Sequence, residues 1–244
     1  MEELTRAVQY SFRFYFDRLG LIILFSMPFI LSFMMLSLVS APTYQAIGGL
    51  FSRTGSIPEL SFSDIIIIVL AYIISFFIIA DTITNINLII RSKRTLTIAS
   101  SEVFGAMGKY ATRIFYIFTL MLLLIALVQL LLFDNPFKSW LFPIFSFLLS
   151  FFLFFVPPAV IIDEEDTPGA IRKSVSMALR KPWFIVSWSL IGLFSLSIVK
   201  ILADFILPHS LSSYAVFLFN SLFLLPFLII LQTQMYMEKY PLAK

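Results

Sequence analysis

The stretch IIIIVLAYIISFFIIADTITNINLIIRSKR, residues 65–94, decides the fold. Its first 26 residues are almost entirely apolar. At about 1.5 Å of rise per residue they are long enough to cross a hydrocarbon core of about 30 Å as a helix. It closes on Arg91, Lys93 and Arg94, the basic flank expected where a span leaves the bilayer on the side that retains positive charge. Five further stretches of the same kind flank it, near 19–40, 114–133, 139–162, 183–206 and 212–237. The expected fold is all-α: a polytopic membrane helix bundle of six transmembrane helices.

Composition agrees. The chain has 244 residues, of which 60% are hydrophobic and 13% charged. Soluble domains are nearer a quarter charged. Six spans and short loops consume nearly the whole length, leaving no stretch for a separate soluble domain. One integral membrane domain over 1–244 is expected. About 18 amphipathic residues precede a first apolar run long enough to span, so the N-terminus does not read as a cleavable signal peptide. No cysteine is present, which excludes disulfides, zinc–thiolate sites and thiol nucleophiles together.

The net charge of +3 is explained by its distribution. With the N-terminus cytoplasmic, only Arg53, Lys138 and Lys200 of the 17 Lys and Arg fall on the outer side. Such a bias orients a membrane protein, so both termini are expected in the cytoplasm of a multi-pass cell-membrane protein. The same bias accounts for the basic residues without nucleic acid.

Three cytoplasmic segments are amphipathic and feed directly into odd-numbered spans. Val8, Phe12 and Phe16 precede Arg18; Val103, Met107 and Ala111 precede Arg113; Ile171, Val175 and Leu179 precede Lys181. The i, i+4, i+8 spacing puts each apolar set on one helical face. The chain therefore divides into three repeated two-span units, 1–95, 96–165 and 166–244, each led by a cytoplasmic amphipathic helix. An odd number of such units differs from the inverted repeats common in secondary transporters. The outer loop 41–63 is the longest, with glycines and prolines, while the other outer turns centre on Asn135 and His209.

The segment VPPAVIIDEEDTPGAIRKSVSMALRKPW, residues 156–183, carries a pattern of its own. Asp166 or Thr167 suits a helix N-cap, and Pro168 suits the first turn, where its missing N–H is of no consequence. The acidic run 163–166 sits at the positive end of that helix dipole. With Pro157, Pro158, Glu164 or Glu165, Pro168, Ala170 and Ser174, the segment resembles the region between the fourth and fifth spans of the membrane domain attached to some bacterial glycerophosphoryl diester phosphodiesterases, and of related six-span proteins of bacteria and archaea. The resemblance implies a six-span plan and little chemistry, since in that family hydrolysis belongs to a separate soluble barrel.

Candidate sites are few. Asp81 lies inside the second span, with Thr84 and Asn85 at i+3 and i+4 on its face. An intramembrane carboxylate costs about 3 kcal/mol on insertion scales, so it faces the bundle interior or a watery cavity. It reads either as a proton or cation site or as a hydrogen-bonded interhelical group. Arg172, Lys173 and Arg180 on the third amphipathic helix are candidate lipid-headgroup contacts. Lys200 and Asp204 form an i, i+4 pair near the outer end of the fifth span. Gln129, Asn220, Gln232 and Gln234 read as interhelical glue. His209 is the single histidine and has no metal-ligand companions nearby in sequence; no G-x-S-x-G elbow or phosphate-cradling glycine loop occurs.

No catalytic, cofactor-binding or metal residue is assigned on these grounds. The expected function is a non-enzymatic scaffold or accessory subunit that engages membrane lipids and a partner membrane protein or a second copy of itself. The alternative is a small transporter, channel or lipid-handling protein with a cavity around Asp81.

Overall fold

The computed structural model describes residues 2–35, 62–95 and 107–238. Among them every regular element is helical. The amphipathic helix α1, Glu2–Asp17, turns at Arg18 into α2, Leu19–Met35, and the two axes meet at 92°. α3 is Phe62–Thr95. A π turn, Met107–Ala111, runs into α4, Thr112–Leu131. α5 is Lys138–Leu153, α6 is Val156–Ile162 and α7 is Thr167–Arg180. α8 is Pro182–Ile206 and α9 is His209–Phe219. A second π turn, Asn220–Leu224, leads into α10, Leu225–Met237.

Five segments are long and apolar enough to cross a membrane: Ile66–Ser92, Gly108–Leu131, Lys138–Ile162, Pro182–Ile206 and Leu211–Met237. The bent pair α1 and α2 raises the number to six if it counts as one span. The outer loop of the sequence reading and most of the second amphipathic segment, including Val103, lie outside the described residues.

Prolines write the breaks. Pro182 has no N–H and excludes Lys181 from helical backbone, so α7 ends there with Lys181 at φ −133° and ψ 59°, and α8 starts afresh. Pro157 and Pro158 open α6 after a break at Phe154 and Phe155. Pro226 follows the second π turn, in which Leu225 N–H reaches back to the Asn220 carbonyl. The wider turn takes up the clash of the proline ring with the preceding turn.

The freed backbone groups at the Phe154–Phe155 break are met by side chains. Ser174 Oγ donates to the Phe152 carbonyl at 2.6 Å and accepts from Phe155 N–H at 3.0 Å. Gln232 Nε2 donates to the Phe154 carbonyl at 2.5 Å. Pro158 cannot supply the N–H this carbonyl would ordinarily receive. Ser174 and Gln232 thereby tie α7 and α10 to the broken span. Ser32 and Ser75 tie α2 to α3, with hydroxyls 2.6 Å apart and both fully buried.

The largest part of the core lies at one end of the bundle, the base, which carries α1, α7 and the turn at 163–166, and a thinner seam of buried residues (Phe29, Ser32, Ala71 and Ser75) continues between α2 and α3. α10 packs there against α1, α3, α6 and α8, while α3 also packs on α4 and α6. Trp188 Nε1 donates to the Leu228 carbonyl at 2.6 Å, and Gly192 allows close approach: a Cβ at Gly192 would meet Leu228 at 3.2 Å. Away from the base two long segments are left largely uncovered by the rest of the described chain. No residue in 118–154 or in 186–208 is buried.

The two described amphipathic helices bury matching positions: Ala7, Ser11, Phe14 and Tyr15 in α1, and Ala170, Ser174, Met177 and Ala178 in α7. Most of these lie one residue before the apolar stripes Val8, Phe12, Phe16 and Ile171, Val175, Leu179 read from the sequence. Of those stripes, Phe12, Phe16 and Leu179 are exposed, although Phe12 also stacks on Phe227 with ring centroids 4.7 Å apart. Small side chains let helices approach closely, and the bulkier neighbours at 100° around the helix are left facing outward.

Candidate functional site

Asp81 sits on α3 about 16 Å of rise from the base end of its span at Ser92. It is partly buried, and Asn85 Nδ2 donates to its Oδ2 at 3.0 Å. Among the described residues no Lys or Arg pairs with it. Thr84 does not join them: its buried hydroxyl donates to the Ala80 carbonyl at 2.8 Å, one turn back on its own helix. Asn85 is 7% exposed and its Oδ1 is buried with no hydrogen-bond partner among the described residues. The site is thus a two-residue pair with one open acceptor. Nearer the base, Asn87 accepts a hydrogen bond from Thr233 on α10 and donates to the Ile83 carbonyl at 2.8 Å.

The densest polar assembly lies at the base, around the acidic turn. Glu164 adopts φ 55°, a left-handed backbone uncommon outside glycine. Its carboxylate accepts from Arg91 on α3 and from Lys109 on the turn before α4. Arg91 also donates to Tyr110 Oη at 2.8 Å and to the Ile161 carbonyl at 3.1 Å. Arg113 donates to the Glu165 carbonyl at 2.8 Å. Asp163, whose side chain is 2% exposed, accepts from Lys173 at 2.9 Å and from Tyr236 Oη at 2.7 Å. Lys173 also reaches Glu165 at 2.6 Å.

One four-residue turn therefore joins α3, α4, α7 and α10. The Lys109 hydrogen bond, assisted by Arg91, pulls the Glu164 carboxyl down to about 2 against the opposing effect of partial burial. Glu165 and Asp163 hold the Lys173 ammonium well above its ordinary range. Sequence reading placed the acidic run at a helix dipole. Asp166 alone fills the cap role, its side chain accepting from Gly169 N–H at 3.0 Å. The rest serve as anchors for distant cations. Tyr110 and Tyr236 were not singled out from the sequence, and Arg91 was read only as part of a basic flank, because their partners lie far along the chain.

The three candidate headgroup contacts have different environments. Lys173 is committed to the acidic turn. Arg172 and Arg180 are exposed on α7, and neither forms an ion pair among the described residues. Arg180 lines a groove between α1, α7 and the first turns of α8. At the other end, Lys200 pairs with Asp204 at 2.8 Å as the spacing suggested, and Ser212 of α9 bonds to both. The side chain of His209 lies outside the described residues. No cluster of three or more potential metal-binding side chains occurs among the described residues.

No family model matches the chain, and no curated protein or solved structure matches it either.

Proposed function

We propose that this chain is a non-enzymatic scaffold or accessory subunit of a cell membrane, with six spans, both termini cytoplasmic and a threefold repeat of amphipathic helix, span, turn and span. The observation that carries the reading is the contrast between the two ends of the bundle. At the base, Arg91, Lys109, Arg113 and Lys173 are spent on one acidic turn that locks four helices together. Beyond it, 118–154 and 186–208 offer apolar surface to whatever lies beside them in the bilayer. A base cross-linked by ion pairs, with apolar hairpins left uncovered, suits the holding of a membrane partner or a second copy of this chain. Support for the repeat comes from Ala7, Ser11 and Phe14 of α1, which correspond to Ala170, Ser174 and Met177 of α7, with Arg18 and Lys181 at matching turns. The resemblance of 156–183 to the phosphodiesterase membrane domain belongs to this proposal, with the acidic turn as its organising element.

The absence of cysteine makes the test clean. Single cysteines at Leu123, Phe147 and Phe205, all strongly exposed on the uncovered hairpins, are introduced for cross-linking in native membranes. A discrete cross-linked band at these positions, absent for a control cysteine at Tyr10 on α1, is expected. Uniformly monomeric protein at all three positions refutes the scaffold reading. Impermeant maleimide labelling of cysteines at Asn135 only from outside, and at Asp166 only from the cytoplasm, tests the orientation.

The transport reading rests on Asp81 and the open Asn85 Oδ1. It predicts a pH- or cation-dependent property that Asp81→Asn abolishes without unfolding the protein.

A further inference from the structure

α1 runs at 92° to the span that follows it, so its N-terminal turn lies beside the first turns of α8. Between them opens a groove of about 530 Å³ lined by Glu3, Leu4, Arg180, Lys181, Trp183 and Phe184, among others. An adjoining hollow of about 440 Å³ shares Glu3, Arg180 and Lys181 with it and extends along α7 to Lys173 and Glu238.

The charges there do not balance. Glu3 is paired with Lys181 at 2.6 Å, and Glu238 with Arg6 at 3.4 Å. Lys173 is held by Asp163 and Glu165. Every carboxylate on the groove wall thus has a cation, and Arg180 is the cation left over. Its guanidinium is exposed and has no ion-pair partner among the described residues. Arginine presents a planar fork of donors suited to phosphate oxygens.

The apolar part of the groove continues out of it. Trp183 is 76% exposed at the start of α8, where an indole suits a membrane–water boundary. Val186, Leu190 and Leu193 follow it at i+3, i+7 and i+10, all exposed, and so form one stripe down the span. The arrangement is a positive pocket at the boundary, a tryptophan beside it and an apolar track leading into the hydrocarbon. An anion without a tail matches only the first of these.

We propose that this groove binds the headgroup of an anionic phospholipid, with Arg180 gripping the phosphate, Trp183 at the glycerol level and an acyl chain along Val186, Leu190 and Leu193. The inference deepens the lipid-binding side of the scaffold reading and rests on the membrane embedding of that reading, not on its partner.

The test uses the full chain in phosphatidylcholine nanodiscs, with brominated phosphatidylglycerol or brominated phosphatidylcholine as the quencher of tryptophan fluorescence. Subtracting the signal of Trp183→Phe isolates Trp183 from Trp140 and Trp188. Phosphatidylglycerol is expected to quench Trp183 at about one-fifth of the concentration that phosphatidylcholine requires, the preference that one surface cation supplies. Arg180→Gln removes that preference, while Arg172→Gln, on the same helix but outside the groove, keeps it. Melting temperatures of both variants within a degree or two of wild type establish that folding is intact. Equal quenching by the two lipids in the wild type overturns the proposal. So does an equal loss in Arg172→Gln, which marks diffuse charge, or relief of quenching by millimolar inorganic phosphate, which marks a free-anion site. Cross-linking at Leu123, Phe147 and Phe205 does not involve the groove, so failure here and failure of the scaffold reading are separable.

Discussion

Replacing Ser174 by alanine removes one oxygen and leaves two buried backbone groups unserved. The hydroxyl is fully buried, donates to the Phe152 carbonyl and accepts from Phe155 N–H. Neither group has a helical alternative, because the span is broken between them and Val156. An unsatisfied buried donor or acceptor costs about 1–3 kcal/mol. Two such groups, with partial relaxation, give an expected destabilisation of about 2–4 kcal/mol. A single interhelical side-chain hydrogen bond in a membrane protein averages about 0.6 kcal/mol, so the two explanations are well separated. Ser146→Ala is the matched control: the Ser146 hydroxyl is buried without a partner among the described residues, and its loss is expected to be neutral or slightly stabilising. The assay is reversible unfolding in mixed micelles by increasing sodium dodecyl sulfate, followed by far-ultraviolet circular dichroism. A Ser174→Ala loss at or below about 0.6 kcal/mol refutes the idea that this hydroxyl staples the break, by the same membrane average.

Glu164 makes a pH prediction. Its folded-state pKa lies below the ordinary value of 4.5, so its stabilisation is fully present above 4.5 and is lost as pH falls towards about 2. Glu164→Gln is expected to flatten the part of the acid-unfolding curve between those values; an unchanged curve there refutes its role as anchor. Asp81→Asn retains an acceptor for Asn85 and is expected to shift stability little, whereas Asp81→Leu strands the Asn85 amide and costs about 1–3 kcal/mol. Melting temperature against pH, with and without Na⁺ or K⁺, separates this structural role from a cation site. Ala178→Leu thrusts bulk into a fully buried small-residue contact and is expected to cost about 1–3 kcal/mol. Leu179→Ala, one residue on and 63% exposed, changes stability by less than about 0.5 kcal/mol in micelles.

The spans were legible because their length and apolarity are dictated by bilayer thickness, whereas the helix break at Pro182 was not read from the sequence. The cap at Asp166 and the glue role of Gln232 followed from local chemistry. The spacing gave one apolar face to α1 and α7 without saying what that face meets, and most of the buried positions lie one residue before it. Periodicity finds the apolar face, but which neighbouring positions make the contact depends on helix packing, as with Ala7, Ser11, Phe14 and Tyr15 in α1. Thr84 was grouped with Asp81 by spacing alone, yet its hydroxyl bonds back to Ala80, a choice available to any Thr on a helix. The acidic turn was the largest omission at the candidate site. Pairing Glu164 with Arg91 and Asp163 with Tyr236 spans 73 residues in each case, and no local pattern encodes such a partner.

The position of α10 in the chain has a consequence for biogenesis. This helix closes the base: Thr233 meets Asn87, Gln232 meets the Phe154 carbonyl, and Tyr236 meets Asp163. It is also the last of these helices to emerge from the ribosome. Until it inserts, Asn87, the broken turn at Phe154 and the Asp163 carboxylate lack those partners, in segments already delivered to the membrane. The earlier helices therefore carry these unserved polar groups until α10 arrives. Assembly of the base then waits on α10, whose arrival supplies all three partners together.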